Sequence, residues 1–307
     1  MSSNGHDHRA AHTAAWFGAA MPALDMSIEI FPARTPEAEA RLWRNIELFA
    51  AAQPRFISVT CGAGGTGAAE TFPLVTAVQD RFKIPVAAHL TCAYAPRQTI
   101  DALAHRYWEA GVRRIVALRG DAPKGSDGYR PGDGSYAYAA DLVAGLKRVG
   151  DFDISVACYP EVHPEAASAL ADLDNLKRKV DAGANRVVTQ YCFDTDRILR
   201  FRDALDVAGI DTEFVPGVMP IHAFSQIKRF SAGCGASIPD WLAQLFDCVD
   251  ETSQLHAMLA TSVAVEQCRR LAAEGIEHFH LYALNRAELP LALVRLLGVA
   301  HPVMAAA

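Results

Sequence analysis

The fold class predicted is α/β, a single (β/α)8 barrel of the TIM type with a short N-terminal extension, and three observations predict it. Short β-rich apolar runs alternate eight times with longer stretches of helical periodicity; such alternation implies a parallel sheet, and eight units imply closure. The junction Glu109-Ala110-Gly111-Val112-Arg113-Arg114-Ile115 returns as Asp181-Ala182-Gly183-Ala184-Asn185-Arg186-Val187, as a repeated βα unit would. The length, 307 residues, suits one barrel with its loops. A doubly wound open sheet is the alternative, but no Gly-x-Gly-x-x-Gly follows the first strand. The glycine-rich stretch 62–67 comes after the second strand with the wrong spacing, and reads as a flexible βα loop.

The chain divides into a tail, 1–24, and the barrel domain, 25–307. The tail is polar, carries His6, His8 and His12, and lacks the basic start and apolar core of a secretory signal. The first strand is expected at 27–31 and its helix at 36–53, with Pro36 where a first-turn proline is tolerated. Strands at 56–60, 85–90 and 114–118 are followed by helices at 70–82, 97–110 and 138–149. Residues 120–135, with five glycines and two prolines, form the longest irregular stretch and are expected to be a functional loop at the barrel mouth. Strands at 153–158, 186–190 and 213–216 precede helices at 165–182, 194–208 and 223–230. A helix at 254–274, the last strand at 278–281 and a closing helix at 287–297 complete the ring. Gly111, Gly183, Gly209 and Gly275 each follow a helix as a C-terminal cap would.

Composition narrows the function. A net charge of −6 argues against nucleic acid, because phosphate binding needs a basic surface. No apolar run approaches the roughly 20 residues of a membrane helix. Seven scattered cysteines without Cys-x-x-Cys spacing fit reduced thiols in a cytoplasm rather than a zinc or redox motif. The partners expected are therefore small molecules and further copies of the chain. A barrel active site lies at the C-terminal ends of the strands, where Glu29, Thr60, His89, Arg119, Asp121, Tyr159, Glu161, His163 and Gln190 gather. No lysine stands there for a Schiff base, no Gly-x-Ser-x-Gly elbow appears, and no cluster of acids accompanies His278 and His280, so no metal site is expected. Glu29 lies within an otherwise apolar strand. Desolvation there would raise its pKa and let it hold a proton as a general acid. As a purely structural carboxylate it would instead pair with an arginine such as Arg119 or Arg286.

The segments Ser-Ile-Glu-Ile-Phe-Pro-Ala-Arg-Thr (27–35), Ser-Val-Thr-Cys-Gly-Ala (58–63), His-Leu-Thr-Cys (89–92), Leu-Arg-Gly-Asp (118–121), Tyr-Pro-Glu-Val-His-Pro-Glu-Ala (159–166), Leu-Lys-Arg-Lys-Val-Asp-Ala-Gly-Ala (176–184), Thr-Gln-Tyr-Cys-Phe-Asp (189–194) and Leu-Asn-Arg-Ala-Glu (284–288) resemble methylenetetrahydrofolate reductase. The resemblance runs from about Asp25 to Val299. It implies a flavoprotein oxidoreductase of one-carbon metabolism and methionine biosynthesis. NADH or NADPH would give a hydride to FAD, and the folate would then take the nicotinamide's place to receive it. The family's proton donor falls on Glu29, which would protonate N10 of 5,10-methylenetetrahydrofolate. Asp121 matches a carboxylate touching both pterin and flavin, and Gln190 an amide that holds pterin or nicotinamide. Gln226 and Arg286 match folate-binding positions and Phe230 a ring packing on either substrate.

For FAD the resemblance implies Thr60, Cys61, Ala63, His89, Arg119, Gly120, Asp121, Tyr138, Ala139, Tyr159, His163, Ala166, Asp172, Asn175, Arg178 and Lys179. Asp172, Asn175 and Lys179 share one helical face, which periodicity alone reads as a solvated surface. Arg178 and Lys179 would meet the pyrophosphate. Cys61 stands where many members carry tyrosine, and Tyr191 and Cys192 where phenylalanine is common. The resemblance ends with the barrel, so the regulatory domain by which larger members sense S-adenosylmethionine is not expected. A cobalamin- or pterin-linked methyltransferase barrel, which needs no flavin, and a ligand-binding barrel without turnover remain the alternatives.

Overall fold

The computed structural model describes residues 23–61, 68–93, 95–121, 129, 131–132 and 134–299. Nine parallel strands form one sheet in the order β7-β6-β5-β4-β3-β2-β1-β9-β8. They are β1 (Asp25–Ile30), β2 (Phe56–Val59), β3 (Val86–Thr91), β4 (Arg114–Leu118), β5 (Asp153–Cys158), β6 (Arg186–Thr189), β7 (Glu213–Val215), β8 (Gly217–Val218) and β9 (His278–Tyr282). The expected seventh strand is thus two pieces broken at Pro216. Proline has no N–H to donate to a ladder, and the chain changes partner there: β7 pairs with β6 and β8 with β9. The backbone N–H of His280 donates to the Pro216 carbonyl at 2.9 Å and closes the ring. The two pieces occupy one barrel position, so the closed (β/α)8 barrel stands.

The helices are α1 (Pro36–Ala51), α2 (Ala68–Phe82), α3 (Arg97–Glu109), α4 (Ala139–Val149), α5 (Ala169–Asp181), α6 (Thr195–Val207), α7 (Phe224–Cys234), α8 (Asp240–Leu245), α9 (Gln254–Ala273) and α10 (Glu288–Leu296). Thr35 caps α1 by accepting from Ala38 N, with Pro36 in the first turn. The helix expected from residue 165 begins instead at Ala169, because the Ser168 hydroxyl accepts from Ala171 N at 3.1 Å and fixes the start. Glu165 and Ala166 are therefore loop residues. The short α8 has no counterpart in the periodic pattern, and α7 runs four residues past its expected end. Gly111 and Gly183 take φ of 80° and 113°, the left-handed cap that only glycine adopts without strain. The next residue donates five back in each case, Val112 N to Tyr107 O and Ala184 N to Lys179 O, so the repeated junction is one repeated Schellman cap. Gly209 and Gly275 also have positive φ and end their helices the same way.

Strand alternation sorts two cores. Met26, Ile28, Ile30, Ile57, Val59, Ile115, Ile154, Val156, Phe279 and Leu281 face outward into the helical layer and are almost wholly buried. Each such side chain contributes about 1.5–3 kcal/mol. Among the described residues the inward faces carry a small apolar cluster, Phe56, Ala87 and Val116 with Leu118, and the buried Val188 and Val215. Ser27, Ser58, His89, Ser155, Arg186, His278 and His280 are buried polar residues of the same strands. Among the described residues no helix is long and apolar enough to cross a membrane.

Candidate active site

Parallel pairing of the first and last strands builds the centre. β1 and β9 lie side by side with Asp25 opposite His278, Ser27 opposite His280 and Glu29 opposite Tyr282. Period-two alternation turns all six toward the interior. The Glu29 side chain is 22% exposed at the C-terminal end, with Oε2 3.5 Å from His89 Nε2 and 3.8 Å from His280 Nε2. Its partners are therefore histidines and not an arginine: Arg119 reaches Glu165 at 2.5 Å, and Arg286 is exposed on the loop after β9.

The expectation that burial raises the Glu29 pKa is corrected. Desolvation is the largest single influence and acts upward, but the His280 hydrogen bond and the attraction of both imidazoles outweigh it. The carboxyl lies below its ordinary 4.5. Burial pushes His89 down to about 4, beyond what Glu29 recovers, so this imidazole is neutral at neutral pH. Its Nε2 is buried without a hydrogen-bond partner.

The other expected residues ring the same end. Thr60 and Cys61 follow β2, and burial raises the Cys61 thiol. After β4, Arg119 lies over the Tyr129 ring at 4.6 Å and donates from Nε to Gly120 O. Gly120 has φ of 90°, where a side chain would strain the backbone, and a Cβ there would crowd Ala93 Cβ at 3.1 Å. Asp121 is exposed beside it. Tyr138 is 49% exposed, its ring 5.9 Å from that of Tyr129, and Ala139 opens α4 beneath it. Tyr159 and His163 meet edge to face at 4.6 Å in the loop after β5. Desolvation raises the Tyr159 phenol to about 12 and lowers the His163 imidazole. The loop is tied to α5 by His163 N donating to Asp172 Oδ2 at 2.9 Å, and Ala166 N donates to His163 O.

The face of α5 carrying Asp172, Asn175 and Lys179 is not a solvated surface. Asp172 and Asn175 are half-buried and Lys179 is buried, its Nζ donating to Ala157 O at 2.6 Å. Desolvation lowers the lysine's pKa. Arg178 is exposed, one helical step of 100° away. The two cations thus point in different directions.

Toward the other side of the mouth, Gln190 follows β6 and accepts from Tyr191 N through Oε1 at 3.0 Å. Gln226 is half-buried and Phe230 39% exposed on α7. Tyr191 and Cys192 are buried, with Tyr191 hydroxyl 3.1 Å from Ser231 Oγ. Ala63, the loop 62–67, most of 122–133 and the tail 1–22 lie outside the described residues.

Sequence reasoning missed Ser27, His280, Tyr282 and Asn285 as parts of the site. The alternation of Ser27 with Glu29, and of His278, His280 and Tyr282, was the available signal: polar residues at every second position of two strands. Asn285 clamps the seam, accepting from Phe31 N at 2.9 Å and donating to Phe31 O at 2.8 Å. It does so in a left-handed conformation, φ 56°, beside Leu284 at φ 50°.

The rim offers cations, hydroxyls and aromatic faces around a partly exposed carboxylate. That set suits an anionic ligand with flat rings and a substrate needing a proton. Known proteins point the same way. The family model described as methylenetetrahydrofolate reductase matches residues 19–298. The chain is 46% identical over 276 residues to 5,10-methylenetetrahydrofolate reductase of Pectobacterium carotovorum subsp. carotovorum, covering 90% of this chain and 91% of that one. The Escherichia coli (strain K12) protein of the same name matches with equal identity and coverage. Among solved structures, an uncharacterized protein from Clostridium thermocellum that binds two copies of 5-methyl-5,6,7,8-tetrahydrofolic acid aligns with a TM-score of 0.61 at 15% identity, over 91% of this chain and 95% of that one. At that identity the likeness is one of fold.

Proposed function

The chain belongs to the methylenetetrahydrofolate reductase family, and from that premise we propose that it reduces 5,10-methylenetetrahydrofolate to 5-methyltetrahydrofolate with NADH or NADPH, through FAD and in ping-pong order. The observation that carries the reading is Glu29: a carboxyl at the barrel mouth, partly exposed toward a ligand and held from behind by two imidazoles.

The rim fits the flavin nucleotide. His89 Nε2 is a buried polar atom that makes no hydrogen bond, its nearest acceptor being Glu29 Oε2 at 3.5 Å, and Gly120 brings bare backbone to the mouth. Arg119, His163 and Lys179 would face its phosphates and polar ring edges, and Thr60, Cys61, Tyr138, Ala139 and Tyr159 would line it. When bound, FAD supplies a two-electron carrier between nicotinamide and folate.

The chain's own groups would do the acid–base work. A proton from Glu29 to N10 opens the five-membered ring and leaves a cationic iminium at N5. The Asp121 carboxylate would steady that cation. Gln190, Gln226 and Phe230 would hold the pterin, and Arg286, an exposed cation, suits the carboxylate-bearing end of the folate.

Anaerobic stopped-flow measurement of each half-reaction tests this. Glu29→Gln should leave flavin reduction by NAD(P)H intact and slow folate reduction by about 10²–10⁴-fold, the usual effect of losing a general acid. Equal loss in both halves would make Glu29 structural. Protein that is colourless and cannot be reconstituted with flavin would favour the methyltransferase alternative.

A further inference from the structure

Beneath Glu29 the barrel interior holds a file of polar side chains that the chemistry above does not use. His280 Nε2 lies 3.8 Å from Glu29 Oε2 and 3.5 Å from Ser58 Oγ, and its Nδ1 is 2.7 Å from Ser27 Oγ. Ser27 Oγ is 3.0 Å from His278 Nε2, and His278 Nδ1 is 2.8 Å from Glu213 Oε1. Glu213 also receives Arg55 Nη1 at 2.8 Å and Arg186 Nε at 2.7 Å. Ser27, His278 and His280 are at most 4% exposed, whereas the side chains of Glu213, Arg55 and Asp25 are 28%, 34% and 60% exposed. The file thus begins at solvent on the N-terminal end of the barrel and ends on Glu29 at the other. Phe56 walls it, stacked on His280 and edge-on to His278.

Each member between Glu213 and Glu29 is an imidazole or a hydroxyl, groups that both accept and donate a proton. A barrel needing only to be filled is packed with branched apolar residues. A substrate seated on Glu29 would lie between it and the solvent of the mouth.

We infer that this file carries protons from the barrel's base to Glu29, with His278 as the entry and Ser27 and His280 as relays. The Glu29 carboxylate takes a proton from His280 Nε2; His280 Nδ1 takes the Ser27 hydroxyl proton; Ser27 takes the Nε2 proton of doubly protonated His278, whose Nδ1–H stays on the ionised Glu213 carboxylate; hydronium at the Glu213 end returns one proton to His278. One proton enters at the base as one leaves Glu29 for N10, with no change of oxidation state. His280 finishes in the opposite tautomer and turns back to reset the file. The position of Glu29 below the ordinary carboxyl range in the open site agrees, since an acid that is empty before the folate arrives must be filled afterwards. The inference rests on Glu29 being the folate's acid.

The test uses flavin-loaded protein, measuring both half-reactions at several buffer concentrations. His278→Gln keeps a hydrogen-bonding side chain but cannot relay a proton, and Ser27→Ala breaks the file at its middle with little change of volume. Each should leave flavin reduction by NAD(P)H unchanged. Folate reduction should fall roughly 10- to 100-fold, less than for loss of the acid itself, and should recover as the concentration of a small buffer acid rises. Wild-type rates should not depend on buffer. Unchanged folate reduction in both variants, or equal buffer-independent loss in both half-reactions, overturns the relay. Glu29→Gln in the same assay separates the two ideas: if it reduces folate normally the acid assignment fails, and if it alone is inactive only the relay fails.

Discussion

Gly217 shows how one atom decides the shape of the site. Its N–H donates to Thr189 Oγ1 at 2.9 Å, and the Tyr282 ring passes over it to donate to Thr189 O at 2.7 Å. A Cβ would sit 2.3 Å from Thr189 O and 2.5 Å from Tyr282 Cε2. The requirement is for space. Gly217→Ala should therefore cost about 1–3 kcal/mol, the usual effect of overpacking, measured by urea unfolding; a stability equal to wild type would show that the ring moves freely aside. At this scale Glu29 was legible as a carboxylate in an apolar strand, but its surroundings were not. Its neighbours lie on strands far away in sequence, and no local pattern says that His89 and His280 flank it. The expected upward shift failed for that reason: burial was foreseen, and the imidazoles were not.

Among elements, the β1–β9 seam depends on Asn285. Two hydrogen bonds to the Phe31 backbone and one from Asn45 Nδ2 to Asn285 O, at 2.6 Å, hold the loop that presents Arg286. Asn285→Ala removes the first two bonds and places an alanine at positive φ, at a cost of about 1–3 kcal/mol for the strained backbone alone. Asn285→Gly relieves the backbone but not the lost bonds. Both should raise KM for folate more than KM for the nicotinamide, and equal changes in the two would detach the clamp from Arg286. Strands and helices long enough to show a period could be read directly, to within a few residues at the ends. The three- and two-residue pieces around Pro216 and the six-residue α8 are shorter than any period. The start of α5 was misplaced because a serine hydroxyl, not the helical pattern, sets it.

For the molecule as a whole, the polar interior fixes the response to acid. Burial holds His89 at about 4 against an ordinary 6.5, so between those values the unfolded chain takes up a proton that the folded one refuses. Stability is full above 6.5 and falls as pH drops toward 4, by roughly 3 kcal/mol for this group. Glu213, held to about 2 by His278 and Arg186 against desolvation, withdraws its contribution from about 4.5 downward. Urea unfolding at pH 7, 5.5 and 4 should show this decline, and His89→Asn should flatten it; an unchanged slope would place the titration elsewhere. Closure was legible from eight alternating units, whereas the ionic floor of Arg114, Asp153, Arg186 and Glu213 was not. Those residues stand at strand starts, where sequence alone suggests ordinary surface charges.

The seam between β1 and β9 also bears on when the proposed proton chemistry can begin. Ser27 and His280 are 253 positions apart, one near the start of the barrel and the other on its last strand. A chain emerging from the ribosome at about 5–20 residues per second presents Glu29 early and waits tens of seconds for the histidine that meets it. Until then the first strand has an open edge, and the carboxylate has no His280 behind it. On the proposed role of Glu29, proton chemistry is withheld from every unfinished barrel, and it arrives with the same event that hides the edge.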